Sequence, residues 1–366
     1  MLSTYFRTAS LAFAAALCLA PALVAQSAQT DQEQQPQGQF EEKVDVQEVL
    51  LDVLVTDRQG NVIVGLDKND FQVLEDGKPV ELTGVTFYSN RRLVQASDEL
   101  TKRGVTADQV PEDRYFVLFF VDSPLMSQQL DAGRRAREWV HTGLLPNDWV
   151  AVVSYDSKLK VHEDFTRDRK ALDQGIADAV QGKDDDGNWP SRIKEGTGPS
   201  LRAGLPRGED LRDKTVSVYD AVRLVADATG SITGRKNLLL FTGGFPARTN
   251  TFGQYLPDQR RYPGMSRALN DSNVAVYPID LNPTGTENML SDFMNQIAND
   301  TGGRYFYNFT NFTTPLEQIA SENSGYYLLS YRSEKPVGAT GFQEVRVKTN
   351  NPEFRIRARK GYDYGS

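Results

Sequence analysis

Apolar and polar positions alternate in the first regular part of the chain. Apolar residues recur at every second position in Val49–Val55, in Val62–Val64 and in Phe71–Val73. Turn-forming stretches separate these runs, and the clearest is Asp76-Gly77. Alternation interrupted by tight turns is typical of antiparallel strands. The pattern therefore predicts an N-terminal β segment over residues 44–90, followed by a charged connecting loop.

The rhythm changes at Tyr115, where strand-like apolar runs begin to alternate with helical patterns. The predicted strands cover residues 115–122, 149–156, 159–165, 237–244, 273–280 and 303–308. The predicted helices cover residues 131–144, 168–180, 217–228, 262–269, 286–299 and 315–322. Runs such as "FVLFFV" are apolar on both faces, as strands covered by helices on both sides must be. This alternation predicts an α/β fold over residues 114–324, a Rossmann-like doubly wound and mostly parallel sheet with a polar insert at 183–212.

A second β segment is predicted over residues 325–364, because the helical patterns stop after Gly325. The stretches "YYLLSYRSE", "FQEVRVKTN" and "FRIRARKGYDY" are strand-like. The two β segments either form one small β-sandwich together or stand apart, since neither has many strands of its own. The basic stripe "RIRARK" is interpreted as a solvated strand face, and the alternative is a surface for an acidic polymer or a membrane.

The N-terminus has the pattern of a secretory signal peptide. Arg7 precedes an apolar stretch, Leu11–Ala25, which is shorter than the roughly 20 residues of a membrane-spanning helix. We therefore expect cleavage after residue 25 or 28, with a membrane anchor as the alternative. Residues 26–43 are rich in glutamine and predict a disordered linker. The mature chain is then exported to the periplasm or the cell exterior and has no membrane span.

Composition narrows the chemistry that is open to this chain. The only cysteine is Cys18, inside the predicted signal peptide, so the mature chain has no disulfide and no thiol nucleophile. Lipidation of Cys18 is disfavoured because Leu17 is bulky. The formal net charge of −8 argues against nucleic acid as a partner, because phosphate-binding proteins usually carry a basic surplus.

Four stretches in this order resemble a known family. They are "DVLVTDRQGNVIVGLDKNDFQVLEDGKPVEL", "NDWVAVVSYDSKLKVHEDFTRDRKAL", "SVYDAV", and "IANDTGGRYFYN" running into "ENSGYYLLSYRSE" and "VRVKTNNPEFRIRARKGY". The chain resembles the von Willebrand factor A-related (VWFA-related) proteins of acidobacteria over residues 44–364. The resemblance implies a Rossmann-like von Willebrand factor A (vWA) domain flanked by β segments, and a role in binding rather than catalysis.

The resemblance also implies where a metal site would be. The metal-binding pattern of the family is Asp-x-Ser-x-Ser after the first strand, Thr before the third helix and Asp after the fourth strand. Asp122 in "VDSPLMS" matches the first position. The other four positions hold residues with no side-chain oxygen, namely Pro124, Met126, Val216 and Gly243. The site is therefore predicted to be degenerate.

A rearranged site is the alternative, because residues with side-chain oxygens lie out of register nearby. Its ligands would be Asp122, Ser123, Ser127, Thr215 and Asp280. Mg²⁺ needs near-ideal octahedral geometry, so an out-of-register set is a poor site, and we expect no metal and no cofactor. The acidic stretch "KDDDGNW" lacks the downstream glutamate of a calcium loop and is interpreted as a solvated part of the insert.

Catalytic signals are weak. The two histidines, His141 and His162, are interpreted as packing or surface residues, and no Gly-x-Ser-x-Gly elbow occurs. "FTGGFP" lacks the Gly-Lys-Ser/Thr ending of a phosphate loop. The aromatic stretches "TGGRYFYN" and "SGYYLLSY" are interpreted as strand packing, with a recognition surface as the alternative.

The predicted function is an exported, non-enzymatic module for protein binding or cell adhesion. Its partner is expected to be a protein or a cell-envelope component, because loops at the C-terminal edge of such a sheet hold ligands. The candidate partner-binding residues are Asp122, Ser123, Ser127, Ser217, Gly243 and Gly244. The alternatives are a metal-dependent adhesin that uses the rearranged site and a hydrolase of unrecognised type.

Overall fold

The computed structural model describes residues 44–89, 113–122, 126–185, 198–245, 247–249, 251, 255–286, 288–336 and 338–365. The segments predicted to be a signal peptide and a linker lie outside these ranges. Across the described residues, no helix is both long enough and apolar enough to cross a membrane.

The N-terminal β segment has four strands where the alternation predicts strands. They are β1 (Val44–Thr56), β2 (Phe71–Glu75), β3 (Lys78–Val80) and β4 (Leu82–Ser89). A short 3₁₀ turn, Lys68–Asp70, precedes β2 and is capped by the Asp67 carboxylate. Asp76 and Gly77 join β2 to β3 with φ angles of 45° and 78°. This left-handed backbone suits the tight hairpin turn that "EDGK" predicts.

The α/β part follows. In chain order it comprises β5 (Arg114–Val121), α1 (Met126–Thr142), β6 (Asp148–Tyr155), β7 (Leu159–Thr166), α2 (Arg169–Val180), α3 (Gly208–Lys214), α4 (Val218–Ala228), β8 (Lys236–Thr242), β9 (Ala247–Thr249), β10 (Tyr255–Pro257), α5 (Tyr262–Asp271), β11 (Val274–Asp280), α6 (Ser291–Thr301) and α7 (Thr313–Glu322).

Five of these strands form the central sheet in the order β11-β8-β5-β6-β7. All neighbours are parallel except β7, which pairs antiparallel with β6 at one edge. Beyond β11, Phe306 forms an isolated parallel bridge to Ile279. From β5 the chain runs to β6 on one side and later to β8 on the other. The topological switch point therefore lies at the C-terminal end of β5.

Helices cover both faces of this sheet, as the doubly apolar strands predict. Alternate residues of β5 point to opposite cores. One core includes Val117, Phe119 and Val121 with residues of α4, α5 and α6. The other includes Phe116, Leu118 and Phe120 with residues of α1, α2 and α7. The fold is thus a mixed α/β structure with a mostly parallel, helix-covered sheet.

The C-terminal β segment pairs with the N-terminal one. Its strands are β12 (Gly325–Pro336), β13 (Gly341–Thr349), β14 (Arg355–Arg357) and β15 (Gly361–Tyr364). They form two antiparallel sheets with the first four strands, in the orders β14-β1-β12-β4 and β15-β13-β2-β3. Apolar residues from both sheets share one core, including Leu51, Val73, Leu329 and Val345. The two β segments therefore build one sandwich.

The basic stripe joins the sandwich to the α/β part, so the expectation of a solvated face is wrong for Arg357 and Arg359, while Arg355 and Lys360 are exposed. Arg359 donates to the carbonyl oxygen of Asn270 near the end of α5 (2.8 Å), and Lys360 pairs with Asp300 near the end of α6 (2.6 Å). Arg357 pairs with Glu322, the last residue of α7. Cations are favoured at helix C-termini, where the macrodipole is negative. The sandwich thus contacts the edge of the sheet opposite to the C-terminal ends of its parallel strands.

Several local predictions differ from the structure, among them the start of α1, which lies at Met126 rather than at 131. The polar insert contains a helix, α3, and residues 186–197 of it lie outside the described ranges. The predicted strand 303–308 is reduced to the single bridge at Phe306. Helix α6 begins at Ser291 rather than at 286, because Pro283 and Gly285 lie in a turn before it, where Thr286 donates its N–H to the Pro283 carbonyl (3.1 Å).

Candidate functional site

The candidate site is the C-terminal edge of the parallel sheet. Asp122 follows β5, Gly243 follows β8, and Asp280 ends β11. Neighbouring strands lie about 4.8 Å apart, so Asp280 is two strands, or about 10 Å, from Asp122. The strand between them ends in Gly243, which brings no carboxylate. The topology alone therefore separates the two acidic residues of the rearranged metal site.

Asp280 is buried, 5% exposed, and four hydrogen bonds hold its carboxylate. One oxygen, Oδ2, accepts from the Tyr305 hydroxyl (2.7 Å) and from Nδ2 of Asn288 (2.9 Å). The other, Oδ1, accepts from the backbone N–H of Asn282 (2.9 Å) and from its Nδ2 (2.7 Å). A carboxylate has about four acceptor positions. Asp280 thus organises the loop after β11 and has no acceptor position left over for a cation.

Thr215 and Ser217 also have internal roles. The fully buried Thr215 hydroxyl donates to the Leu211 carbonyl (2.7 Å) and accepts from the Leu159 N–H (3.1 Å). It thereby ties α3 to β7. Ser217 is the N-cap of α4, where it accepts from the Asp220 N–H (3.2 Å) and donates to the Asp220 carboxylate (2.6 Å). An N-terminal serine is a favoured cap because it satisfies one of the free N–H groups of the first turn.

Asp122 and Ser127 lie at the solvent-exposed end of β5. Asp122 is exposed, and its backbone N–H donates to the Tyr155 carbonyl (2.8 Å). Ser127, in the first turn of α1, donates to Oε1 of Gln128 (2.7 Å). Ser123, the remaining candidate, lies outside the described residues. The structure thus leaves Asp122 and Ser127 at the surface, whereas Thr215 and Asp280 are buried elsewhere.

These residues do not fit an Mg²⁺ site. Hard cations need several oxygen ligands in one place. Two of the candidate ligands, Thr215 and Asp280, already use their side-chain oxygens in hydrogen bonds inside the fold. In the described part of the chain, no group of three or more His, Cys, Asp or Glu side chains is arranged to hold a metal ion.

The two glycines after β8 allow a close contact at the centre of the edge. Gly244 has a φ of +141°, and a Cβ placed there would lie 2.2 Å from Cδ1 of Leu290. The Thr242 hydroxyl bonds both the N–H and the carbonyl of Gly244, each at 3.0 Å. The Gly243 carbonyl accepts from Nδ2 of Asn282 (3.2 Å). The described part of this motif, "FTGGF", therefore forms a packing turn against the loop that precedes α6.

Three exposed apolar side chains lie in loops at this same edge. Val216 precedes α4, Met289 precedes α6, and Tyr307 follows the bridge at Phe306; they are 64%, 60% and 61% exposed. These are the three highest exposures among the large hydrophobic side chains of the described residues. We call Val216, Met289 and Tyr307 the edge residues. Val216 and Met289 have no pattern in the sequence that marks them as binding residues, whereas Tyr307 belongs to "TGGRYFYN", for which a recognition surface is the alternative.

Tyr307 also borders a pocket beside Asp280. Its ring stacks on Tyr305, with centroids 5.1 Å apart and planes at 23°. The pocket lining includes the amide and hydroxyl side chains of Asn282, Thr286, Asn288, Ser291 and Asn308. Tyr305 and Phe306 are buried as packing residues, whereas Tyr307 faces solvent. The alternation of "RYFYN" does not distinguish the two tyrosines, which stack on each other although only one of them is exposed.

A second cleft lies beside the end of β5. Asp122, Gln129, Ser154 and Asp156 are among its lining residues. The Ser154 hydroxyl lies 2.8 Å from Nε2 of His162 on the neighbouring strand β7. Burial lowers the pKa of His162, although the charges of Asp185 and Asp178 oppose this shift. The pair joins β6 to β7 at the antiparallel edge, a contact that the spacing of the two residues did not reveal.

Of the acidic stretch "KDDDGNW", only the first three residues are within the described ranges. Asp184 pairs with Lys158 (2.9 Å), and the Asp185 carboxylate accepts from the Val161 N–H (2.8 Å). Asp186 and the rest of "DGNW" lie outside the described ranges. The first two aspartates therefore pair with groups of β7 and the turn before it.

No protein-family model matches the chain, and no curated protein matches it in sequence. Among solved structures, it is similar to an aerotolerance-related membrane protein from Bacteroides fragilis, with 14% identity over 57% of this chain and 98% of that one, at a TM-score of 0.37. It is also similar to the vWF domain of the type V pili tip protein Mfa5 from Porphyromonas gingivalis, with 11% identity over 57% of this chain and 94% of that one, at a TM-score of 0.36. The human COPII-coat protein Sec24c shares 9% identity over 78% of this chain and 48% of that one, at a TM-score of 0.39. Similarities of this size carry no argument about what this chain does.

Proposed function

We propose that this protein is an exported, non-enzymatic module of vWA type that binds a protein or cell-envelope partner without a metal ion. The contact surface is the C-terminal edge of the sheet. It includes the edge residues and the loops that carry Asp122, Ser123, Ser127, Ser217, Gly243 and Gly244. The strand order and the resemblance in sequence support the vWA assignment.

One observation carries this proposal. At the C-terminal edge, two of the polar side chains that could hold a cation, Thr215 and Asp280, are buried, while the most exposed large apolar side chains of the described residues point outward. Aromatic residues and methionine are enriched in protein interfaces, where they supply contact area that excludes water. An edge of this kind favours a contact based on apolar burial over one based on a shared metal ion.

The test is capture of a partner from the envelope fraction of the producing organism in the presence of EDTA. We expect the immobilised protein to retain a specific partner, and the triple variant Val216→Ser/Met289→Ser/Tyr307→Ser to lose most of that binding. The loss follows from removing apolar area at the contact. Binding is measured with the purified partner by surface plasmon resonance, and a tenfold or greater rise in Kd is expected, equal to about 1.4 kcal/mol.

The control is a second surface variant, Val46→Ser/Leu50→Ser. Both residues are exposed apolar side chains of β1, in the sandwich. This variant should bind like the wild type, and thermal unfolding should show that both variants are folded. Binding that needs Mg²⁺, Mn²⁺ or Ca²⁺ and disappears in Asp122→Ala would instead support the metal-dependent adhesin.

A further inference from the structure

The sandwich has charged and amide side chains in its interior. Glu75 on β2, Lys335 on β12 and Gln343 on β13 are each no more than 9% exposed. The Lys335 amine, Nζ, donates to Oε1 of Glu75 (2.5 Å) and to Oε1 of Gln343 (2.5 Å). Transfer of an ion pair from water into a protein interior costs free energy. A buried ion pair that also contacts a buried carboxamide therefore calls for an explanation.

Other side chains of the sandwich also contact this cluster. Glu75 also accepts from the Ser333 hydroxyl (2.6 Å) and from the Tyr362 hydroxyl (3.1 Å). The Lys335 amine lies 5.1 Å from the centre of the Tyr364 ring. The pairing of β13 with β15 sets Gln343 opposite Tyr362, and its pairing with β2 sets Val345 opposite Glu75. Backbone register therefore fixes the positions of the carboxamide and the carboxylate.

The three groups have complementary chemistry. A lysine amine is a nucleophile once it has lost a proton, a carboxamide carbon is an electrophile, and a carboxylate can accept and return a proton. Reactive side chains that the fold keeps in contact react far faster than the same groups free in solution, because the entropy of bringing them together has already been lost on folding. Here the amine is in hydrogen-bond contact with both of the other groups.

We propose that Lys335 and Gln343 form an intramolecular isopeptide bond, with Glu75 as the catalytic base and acid. Glu75 takes a proton from the Lys335 ammonium, and the free amine attacks the Gln343 side-chain carbon, Cδ. A new C–N bond forms, the bond from Cδ to the original amide nitrogen breaks, and that nitrogen leaves as ammonia after receiving a proton. Counted overall, one ammonium ion is released, charge is conserved and no oxidant or reductant is needed.

Peptide mass measures this bond directly. Trypsin cleaves after Arg332 and Arg346, and Pro336 prevents cleavage after Lys335, so one peptide, residues 333–346, holds both partners whether or not they are linked. We expect this peptide from the full-length wild type to be lighter than its sequence mass by about 17 Da, the mass of ammonia. Its fragmentation spectrum should lack backbone cleavages between Lys335 and Gln343, because the link closes a ring. The peptide contains no Asn or Asp, so their cyclisation cannot mimic the loss.

The decisive variant is Glu75→Gln, because residue 75 is not part of the measured peptide. With the base removed, the peptide should return to its sequence mass. The matched control is Glu81→Gln, an exposed glutamate on the same part of the chain, which should leave the peptide light. Lys335→Arg keeps the positive charge and has no primary amine, and its peptide should have the mass of its own sequence.

A wild-type peptide at full sequence mass would overturn the proposal, whatever the variants show. A light peptide in Glu75→Gln would overturn the role of Glu75 as base. Since the wild-type measurement alone decides whether the bond exists, a variant that fails to fold does not remove the test. The proposal is independent of what binds at the edge residues.

Discussion

Asp280 is held by donors that lie both near it and far from it in the chain. Asn282 and Asn288 belong to the loop that follows it, whereas Tyr305 is 25 residues away. Burial, together with the hydrogen bond to Asp280 and its negative charge, raises the pKa of the Tyr305 hydroxyl. This hydroxyl therefore stays protonated and keeps donating throughout the physiological range. A candidate ligand of the alternative metal site is thus the centre of a hydrogen-bond network.

Tyr305→Phe should destabilise the protein, because it removes one donor from a buried carboxylate. Hydrogen bonds to charged groups contribute about 1.5–3 kcal/mol, so we expect the free energy of unfolding to fall by that amount. Urea denaturation followed by circular dichroism measures the change. Tyr307→Phe is the matched control, since its exposed side chain should alter stability by less than about 0.5 kcal/mol. Equal effects of the two variants would contradict the network at Asp280.

His162 should make stability depend on pH near neutrality. Its pKa in the folded state is below the ordinary value of 6.5, chiefly because of burial. The folded state then binds fewer protons than the unfolded state as the pH falls through about 6.5, so the free energy of unfolding decreases on acidification. The stabilising contribution is complete above the unfolded pKa and is lost as the pH falls toward the folded pKa.

His162→Gln should flatten this dependence. We expect Tm of the wild type to fall between about pH 7.5 and about pH 5.5, and Tm of the variant to fall less, because carboxylates titrate mostly below this window. Differential scanning calorimetry in both buffers gives the comparison. His141→Gln, an exposed position on α1, is the control and should keep the wild-type dependence. An unchanged slope in His162→Gln would show that this ring is not buried in its neutral form.

Among the secondary-structure elements, β14 and the end of α7 meet through a buried carboxylate. Glu322 is 1% exposed and pairs with Arg357 and with Arg304, the latter at 2.7 Å. Glu322 ends the helix, and Arg357 ends the strand that lies beside β1. The contact links the sandwich to the helical layer.

Glu322→Gln should lower the free energy of unfolding by more than the same substitution at an exposed glutamate. Removal of one partner of a buried ion pair leaves uncompensated charge and typically costs about 3–5 kcal/mol, and we expect the lower end because Arg304 is partly exposed. Chemical denaturation measures the loss. Glu353→Gln breaks the exposed pair with Arg58 and should change stability by less than about 1 kcal/mol. Similar losses in the two variants would contradict a structural role for the α7–β14 contact.

Periodicity predicted most of the elements, because burial of one or two faces leaves a local trace in the sequence. The run "FVLFFV" predicted β5, and the helical pattern over residues 217–228 predicted α4. The interior partners left no such trace. Arg357 and Arg359 have the spacing of a solvated strand, and only the packing of that strand against helix ends shows otherwise.

The candidate site was predictable in place and not in detail. The end of β5 marks the switch point of the sheet, and the resemblance in sequence implies that four of the five metal positions hold unsuitable residues. The roles of Thr215 and Asp280 depend on partners brought in from other elements, such as Leu159 and Tyr305. The exposure of Val216 and Met289 likewise follows from how their loops pack, which has no periodic signal.

Over the whole molecule, the strands of the sandwich come from the two ends of the described chain. β1 pairs with β12 from Val44 to Val53, and β2 pairs with β13. Pairings of such large sequence separation form slowly, because a long loop must close before they gain any stability. A nascent chain leaving the ribosome therefore carries β1 and β4 without their shared partner β12, and the β2–β3 hairpin without β13, until the entire α/β part has been synthesised. Such edges invite aggregation, so chaperone cover is most needed before Gly325 emerges.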